Sequence, residues 1–224
     1  MNALELTGRA SSHVVASAEP ACALHVHALR PFLNLRRAAR AAGFDLKPVS
    51  GFRDFQRQLS IWNAKYNGDR PLYDESGRPL DAAQLSPPER ISAILRWSAL
   101  PGASRHHWGS DVDLIDGNAA GAKDRDPLTV AAFSPGGPYA PLADWLHANA
   151  ARFGFFRPYR GVLSGVQAEP WHFSFAPVAE SARRALNVPV LHSALTGAPL
   201  MGKEQVMARL DELHARYVSA IDWP

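Results

Sequence analysis

The sequence predicts one α+β domain, and three observations carry that expectation. Stretches with helical apolar spacing share the chain with short strand-like runs. The 224 residues are 46% apolar, enough to bury one sizeable core without dividing into two domains. A single cysteine, Cys22, rules out a disulfide framework as the source of stability.

Taken in order, residues 24–42 are rich in Ala, Leu and Arg at helical spacing and predict a helix stopped by Gly43. Residues 47–52 read as a strand, and Asp54 caps a helix running to about Tyr66. From 67 to 88 the chain carries Gly68, Pro71, Gly77, Pro79 and the Pro87-Pro88 pair, which predicts a long surface insertion of the kind that borders active sites. Residues 89–99 predict a helix leading to Pro101-Gly102, and residues 112–115 a core strand. The segment 117–138 is loop-like, 141–153 an amphipathic helix closed by Gly154, and a hairpin-like stretch then presents Glu169 and His172. Residues 179–186 and 203–218 predict helices joined by a Pro- and Gly-containing connector, a C-terminal extension over about 177–224.

Charge and the N-terminal residues bound the function. The net charge is only +3, and Arg36, Arg37 and Arg40 read as a solvated helix face, so no nucleic-acid partner is expected. Residues 1–18 contain Glu5, Arg9 and His13 and lack the basic start and apolar core of a secretory signal. No later run is long enough to span a membrane. The expectation is a cytoplasmic protein, or a periplasmic or cell-wall one if an export segment is missing.

The residues that carry chemistry fall in two blocks, Ser104-Arg105-His106-His107-Trp108-Gly109-Ser110-Asp111-Val112-Asp113 and Glu169-Pro170-Trp171-His172. His106, Asp113 and His172 make a three-ligand set for a catalytic zinc, which keeps its fourth position for water; a structural zinc site closes with four donors, often cysteines. Glu169, three residues before His172, is placed to take a proton from that water and pass it to a leaving amine. Gly109 permits the tight turn that brings Asp113 back on the following strand.

The order Ser-x-His-x-x-Gly-x-x-x-Asp followed by Glu-Pro-Trp-His resembles the zinc D-alanyl-D-alanine carboxypeptidases of the VanY type, relatives of LD-carboxypeptidases and of the hedgehog fold. A third block, Ser50-Gly51-Phe52-Arg53-Asp54-Phe55-Gln56-Arg57-Gln58, is similar to that family's Ser-Gly-Tyr-Arg-Ser segment with its downstream Gln. Residues 142–156, with Trp145, Asn149, Gly154 and Phe155, resemble its helix and turn before the last ligand block. Together these blocks span roughly residues 48–176. The resemblance implies a hedgehog/DD-peptidase-like fold with a central, mainly antiparallel sheet flanked by helices. It implies one Zn2+ per chain, and it selects His106 over His107, whose role is then structural.

It also implies a substrate, the peptidoglycan stem peptide, and removal of D-alanine from a D-Ala-D-Ala end. LD-carboxypeptidase and endopeptidase activities are the near alternatives, and a noncatalytic zinc-binding module the distant one. Arg53 then acquires a definite role, because its permanent, two-pronged guanidinium suits either the oxyanion of peptide attack or the substrate's terminal carboxylate. Ser104 offers a hydroxyl to the substrate, Gln58 supports the same pocket or, one helical turn beyond Arg53, backs it from behind, and Trp108 and Trp171 pack as its walls. Asp54 and Asp111 depart from the family, which commonly has serine and a small apolar residue there. Asp111 shares a strand face with Asp113, and the expectation is that it accepts a hydrogen bond from a ligand imidazole rather than competing for the metal.

Overall fold

In the computed structural model, which describes residues 1–119 and 128–224, the chain begins with a one-turn helix α1 (Ala3–Leu6), closed by an Asn2–Glu5 capping box. A hairpin of β1 (Val14–Ala18) and β2 (Ala21–His25) follows. Residues 24–25 therefore belong to a strand: Leu24 pairs with Val15, and helix α2 (Val26–Ala41) starts two residues later than its composition predicts. Helix α2 buries Ala28, Phe32, Leu35 and Ala39, the i, i+4, i+7, i+11 stripe of an amphipathic helix.

Strand β3 (Leu46–Ser50) leads to α3 (Phe55–Asn67), and Asp54 caps α3 by accepting a hydrogen bond from the Arg57 N–H at 2.7 Å. The expected insertion at 67–88 holds a small hairpin, β4 (Leu72–Tyr73) with β5 (Pro79–Leu80). Helix α4 (Pro87–Trp97) takes Pro87 and Pro88 into its first turn, behind a capping box formed by Ser86 and Glu89. The proline pair starts this helix because an N–H there has no intrahelical partner to lose. A 3-10 turn at Arg105–Trp108 ends in Gly109 (φ +65) and feeds β6 (Asp111–Asp116).

Of the loop-like 117–138 segment, residues 120–127 lie outside the described residues, and the remainder contains one helical turn, α5 (Val130–Phe133). Helix α6 (Ala140–Asn149) and a 3-10 turn at Ala150–Phe153 close at Gly154. Strands β7 (Phe155–Phe156) and β8 (His172–Phe175) then pair across a connection that carries Glu169. Helices α7 (Ala176–Ala185), α8 (Val188–Thr196), α9 (Lys203–Ala208) and α10 (Leu210–His214) complete the chain, with a π-helical turn at Ala215–Ser219. The expected connector is thus largely helix α8: Asn187 caps it and Pro189 lies in its first turn.

The central sheet has the order β3-β6-β8-β7, antiparallel throughout and flanked by helices, the architecture the resemblance implied. Side chains of successive residues on β6 point to opposite faces. Val112 and Leu114 join the core beneath α2 and α6 with Phe32, Leu35, Phe155 and Phe173. Asp111 and Asp113 point the other way. A second core packs α3 and α4 against the C-terminal helices through Trp62, Ile91, Ile94, Leu191, Leu195 and Leu213.

Candidate metal centre and substrate cleft

Strand register builds the centre. Asp113 is paired with Ser50 on β3 and with His172 on β8, so three sequence-distant residues lie abreast on one face of the sheet. His106 arrives from the 3-10 turn, whose exit depends on Gly109: a Cβ there would lie 2.6 Å from the backbone nitrogen of His25. That nitrogen donates to the Gly109 carbonyl at 2.8 Å, so the β1–β2 hairpin braces the turn.

The hydrogen bonds assign the imidazole tautomers. His106 donates from Nδ1 to the Gly51 carbonyl at 2.8 Å, leaving Nε2 3.4 Å from Asp113 Oδ2. His172 donates from Nε2 to Asp111 Oδ2 at 2.8 Å, leaving Nδ1 3.2 Å from Asp113 Oδ1 and 3.1 Å from Glu169 Oε2. In its neutral form each ring has one lone pair facing the other two residues, the arrangement in which histidine binds a metal. One donor atom from each of His106, Asp113 and His172 lies within 4.8 Å of the others, and all three residues are buried. Asp113 Oδ1 is buried and makes no hydrogen bond. An orphaned buried carboxylate oxygen costs free energy unless a cation satisfies it. The donor set fits a small divalent ion.

Electrostatics agree. Burial alone would raise the Asp113 carboxyl, but His106 and His172 outweigh it and hold the group well below the usual carboxylate range. Burial likewise opposes charge on His172, yet its hydrogen bond to Asp111 and the nearby Asp113 and Glu169 carboxylates hold its pKa well above the ordinary imidazole value. A divalent ion bound here displaces that proton, since a coordinating histidine must be neutral.

Asp111 is fully buried, with its carboxylate taken up by Arg105 Nε at 2.8 Å, Ser174 Oγ at 2.7 Å, Ser110 Oγ and His172. Against the cost of burial, Arg105 and His172 keep it ionised. It is the acceptor that orients His172. Arg105 in turn stacks over Trp108, with its guanidinium carbon 4.8 Å from the ring centroid.

His107 follows His106 on the same 3-10 turn, whose rotation sends the two side chains to different surroundings. Its Nδ1 donates to the Arg53 carbonyl at 2.6 Å and its Nε2 accepts from Gly102 N–H at 3.1 Å. Burial pushes its pKa down to about 3, which keeps the ring neutral. The side chain of Arg53 donates to Gln58 Oε1 at 2.8 Å and Ser50 Oγ at 2.9 Å; burial lowers its pKa, and the nearby Asp113 and Glu169 carboxylates oppose that shift.

Arg53, His106, Asp113 and His172 line a cleft of about 670 Å³, together with Ser104, Glu169 and Trp171. Tyr73, Glu75, Ser76 and Gly77 of the 67–88 segment line it as well, as do Leu213, Tyr217 and Val218 near the C-terminal end. Two expectations need correction. Gln58 is fully buried and does not itself line the cleft; it accepts from Arg53 at 2.8 Å and donates to the Ala99 carbonyl at 2.7 Å, so it supports wall residues from behind. Trp108 is also fully buried, with Nε1 donating to the Leu6 carbonyl at 3.1 Å, so Trp171 alone of the two tryptophans walls the cleft.

Tyr159 is a site residue that sequence reasoning missed. It lines the cleft, its ring centroid lies 5.1 Å from that of His172, and burial pushes its hydroxyl up to about 12. It falls in the β7–β8 connection, where no periodic pattern marks a side chain's direction.

The sequence model of the VanY D-alanyl-D-alanine carboxypeptidases matches residues 21–178. An uncharacterized protein of Haemophilus influenzae is 42% identical over 98 residues, 42% of this chain and 67% of its own. A D-alanyl-D-alanine carboxypeptidase of Enterococcus faecalis is 29% identical over 154 residues, which cover 67% of this chain and 47% of that longer protein. Among solved structures, VanYB in complex with D-alanine-D-alanine superposes with a TM-score of 0.52 at 23% identity, covering 86% of this chain and 87% of that one. A vancomycin resistance D,D-pentapeptidase VanY in complex with Zn(II) gives the same score and identity, covering 86% of this chain and 88% of that one. The LD-carboxypeptidase LdcB gives 0.50 at 19% identity, over 81% of this chain and 67% of its own.

Proposed function

Because the chain belongs to the VanY D-alanyl-D-alanine carboxypeptidase family, we propose that it removes a C-terminal D-alanine from peptidoglycan stem peptides, using one Zn2+ held by His106, Asp113 and His172. The observation that carries the zinc reading is the convergence of His106 Nε2 and His172 Nδ1 on the buried Asp113 carboxylate, whose Oδ1 makes no hydrogen bond. The Zn(II) complex of a VanY relative supports the same choice of metal. Zinc in such a site supplies Lewis acidity and lowers the pKa of water.

The protein's own side chains do the rest. Glu169 takes the proton of the attacking water and returns it to the leaving amine nitrogen. Its Oε2 lies 3.1 Å from His172 Nδ1, at the edge of the ligand cluster. Arg53, fixed by Gln58 and Ser50, presents its guanidinium to substrate oxygen, either the carbonyl that gains charge during attack or the terminal carboxylate. Ser104 offers a hydroxyl from the same wall. His172 is held in register by Asp111, so the carboxylate that departs from the family pattern orients a ligand.

The retained base beside an open three-ligand centre speaks against a noncatalytic zinc module. The C-terminal helices share a core with α3 and α4, which supports reading the 224 residues as one domain. Synthetic stem peptides ending in D-Ala-D-Ala, incubated with the zinc-loaded protein and followed by mass spectrometry, test the activity. Loss of one terminal alanine is expected. Release of a longer fragment identifies an endopeptidase, cleavage only of peptides with an L-D terminal bond identifies an LD-carboxypeptidase, and no cleavage rejects the hydrolase reading.

A further inference from the structure

Residues 215–223 lie beyond the family-matched 21–178, yet they grip the connection that carries Glu169. Asp222, only 1% exposed, uses Oδ2 to accept a hydrogen bond from Arg160 N–H at 2.7 Å, while its own N–H donates to the Pro158 carbonyl at 3.0 Å. Further along, Gly165 N–H donates to the Arg216 carbonyl at 3.0 Å. Gly165 lies so close to Tyr217 that an added Cβ would be 2.5 Å from that ring. Trp223 packs edge-on against Phe156, with ring centroids 4.9 Å apart.

The connection has other anchors near the base as well: Gln167 N–H donates to the Arg96 carbonyl at 2.9 Å, Glu169 N–H to the Tyr159 carbonyl at 3.1 Å, and the Trp171 carbonyl accepts from Leu114 N–H at 3.0 Å, while Tyr159, Val166 and Trp171 are buried. The gripping segment includes the π-helical turn Ala215–Ser219, which puts Tyr217 and Val218 into the cleft wall. Such turns are uncommon and recur at functional sites.

The geometry points to Asp222 as a positioning residue for Glu169: residues 215–223 form a latch that holds the 157–171 connection, and through it the base, against the metal centre. The inference rests on the reading of Glu169 as the base. Asp222 hydrogen-bonds to the backbone of Pro158 and Arg160 rather than to a metal ligand or Glu169, so its effect passes through the backbone of residues 158–160. Misplacing a catalytic group by an ångström costs roughly 100-fold in rate.

The test uses the full chain loaded with zinc, comparing wild type with Asp222→Ala, Asp222→Asn and Gly165→Ala. Hydrogen exchange by mass spectrometry reads the latch directly. Asp222→Ala should speed exchange across 157–171 while β6 stays protected. It should also lower kcat by roughly 10- to 100-fold with zinc content unchanged and KM changed far less. Asp222→Asn keeps an oxygen acceptor for Arg160 N–H and should recover most of the loss. Gly165→Ala, which forces the connection off Tyr217, should reproduce the faster exchange and the kcat loss even if Asp222→Ala fails to fold.

Unchanged exchange in Asp222→Ala and Gly165→Ala overturns the latch, as does faster exchange with unaltered kcat, or an Asp222→Asn variant as impaired as the alanine. If the wild type cleaves no stem peptide, the reading of Glu169 falls while the exchange result still judges the latch.

Discussion

Of the three proposed ligands His172 is the most tightly engaged, since one ring nitrogen is committed to Asp111 and the other faces Asp113 and Glu169. His172→Ala should therefore remove most of the bound zinc, measured by elemental analysis of protein purified without chelator; full retention would refute the ligand set. Glu169→Gln separates binding from chemistry. The amide keeps the size and an oxygen acceptor but cannot take a proton, so zinc should remain while turnover falls roughly 100-fold or more. Wild-type turnover with zinc in place would eliminate Glu169 as the base. At this scale the sequence was legible where residue type and spacing bring groups together: His106, Asp113 and His172 converge, with Glu169 beside His172. It was not legible where direction depends on packing: Trp108 looks like a pocket residue by position but is buried away from the cleft, and Gln58 lies behind Arg53 rather than in the wall.

Elements were legible where a local signal agrees with the tertiary fold. Asp54 caps α3 and Gly154 closes the turn after α6 as expected, because capping and left-handed turns are settled within a few residues. The β1–β2 hairpin was hidden, since Ala21, Ala23 and Leu24 are residue types that favour helices, and only pairing with β1 overrides that preference. Helix α8 was hidden by Pro189, which reads as a breaker until its place in the first turn is known. The turn at Gly109 offers the sharpest test at this scale. Gly109→Ala must adopt φ +65 and meet the His25 backbone. A non-glycine residue in that region costs about 1–3 kcal/mol, and the clash adds to it. Urea unfolding should show a lower midpoint and the variant should bind zinc more weakly; an unchanged midpoint would show that the turn is not constrained in this way.

On the scale of the whole molecule, the cleft walls come from segments far apart in the chain, Tyr73–Gly77, Ser104–His106, Glu169–His172 and Leu213–Val218. A volume of about 670 Å³ is of the size that encloses a drug-sized ligand rather than one alanine. If the substrate end is read by Arg53 and Ser104, amidating the terminal carboxylate should make a stem peptide a poor substrate. Arg53→Lys should also be impaired, because an ammonium cannot reproduce the guanidinium fork. Equal rates for acid and amide would leave the metal chemistry standing and remove the carboxypeptidase reading. The general position of the 67–88 segment at the cleft was legible from its turn residues. The contribution of Leu213, Tyr217 and Val218 was not, because nothing in a helical pattern says which distant loop it will meet.

The three ligands do not share one kind of support. Asp113 and His172 sit opposite each other on hydrogen-bonded strands, whereas His106 hangs from a short turn beside the sheet. Releasing either strand residue means opening the ladder, while releasing His106 requires that the turn loosen from Gly51, Arg53, His13 and the hairpin behind it, with the sheet intact. Escape of a bound zinc is then expected to be a local event with its own clock. Stripping by a chelator should run at the pace at which residues 105–109 breathe, well before the sheet gives way, so the protein should lose its ion while still folded and take it back without refolding.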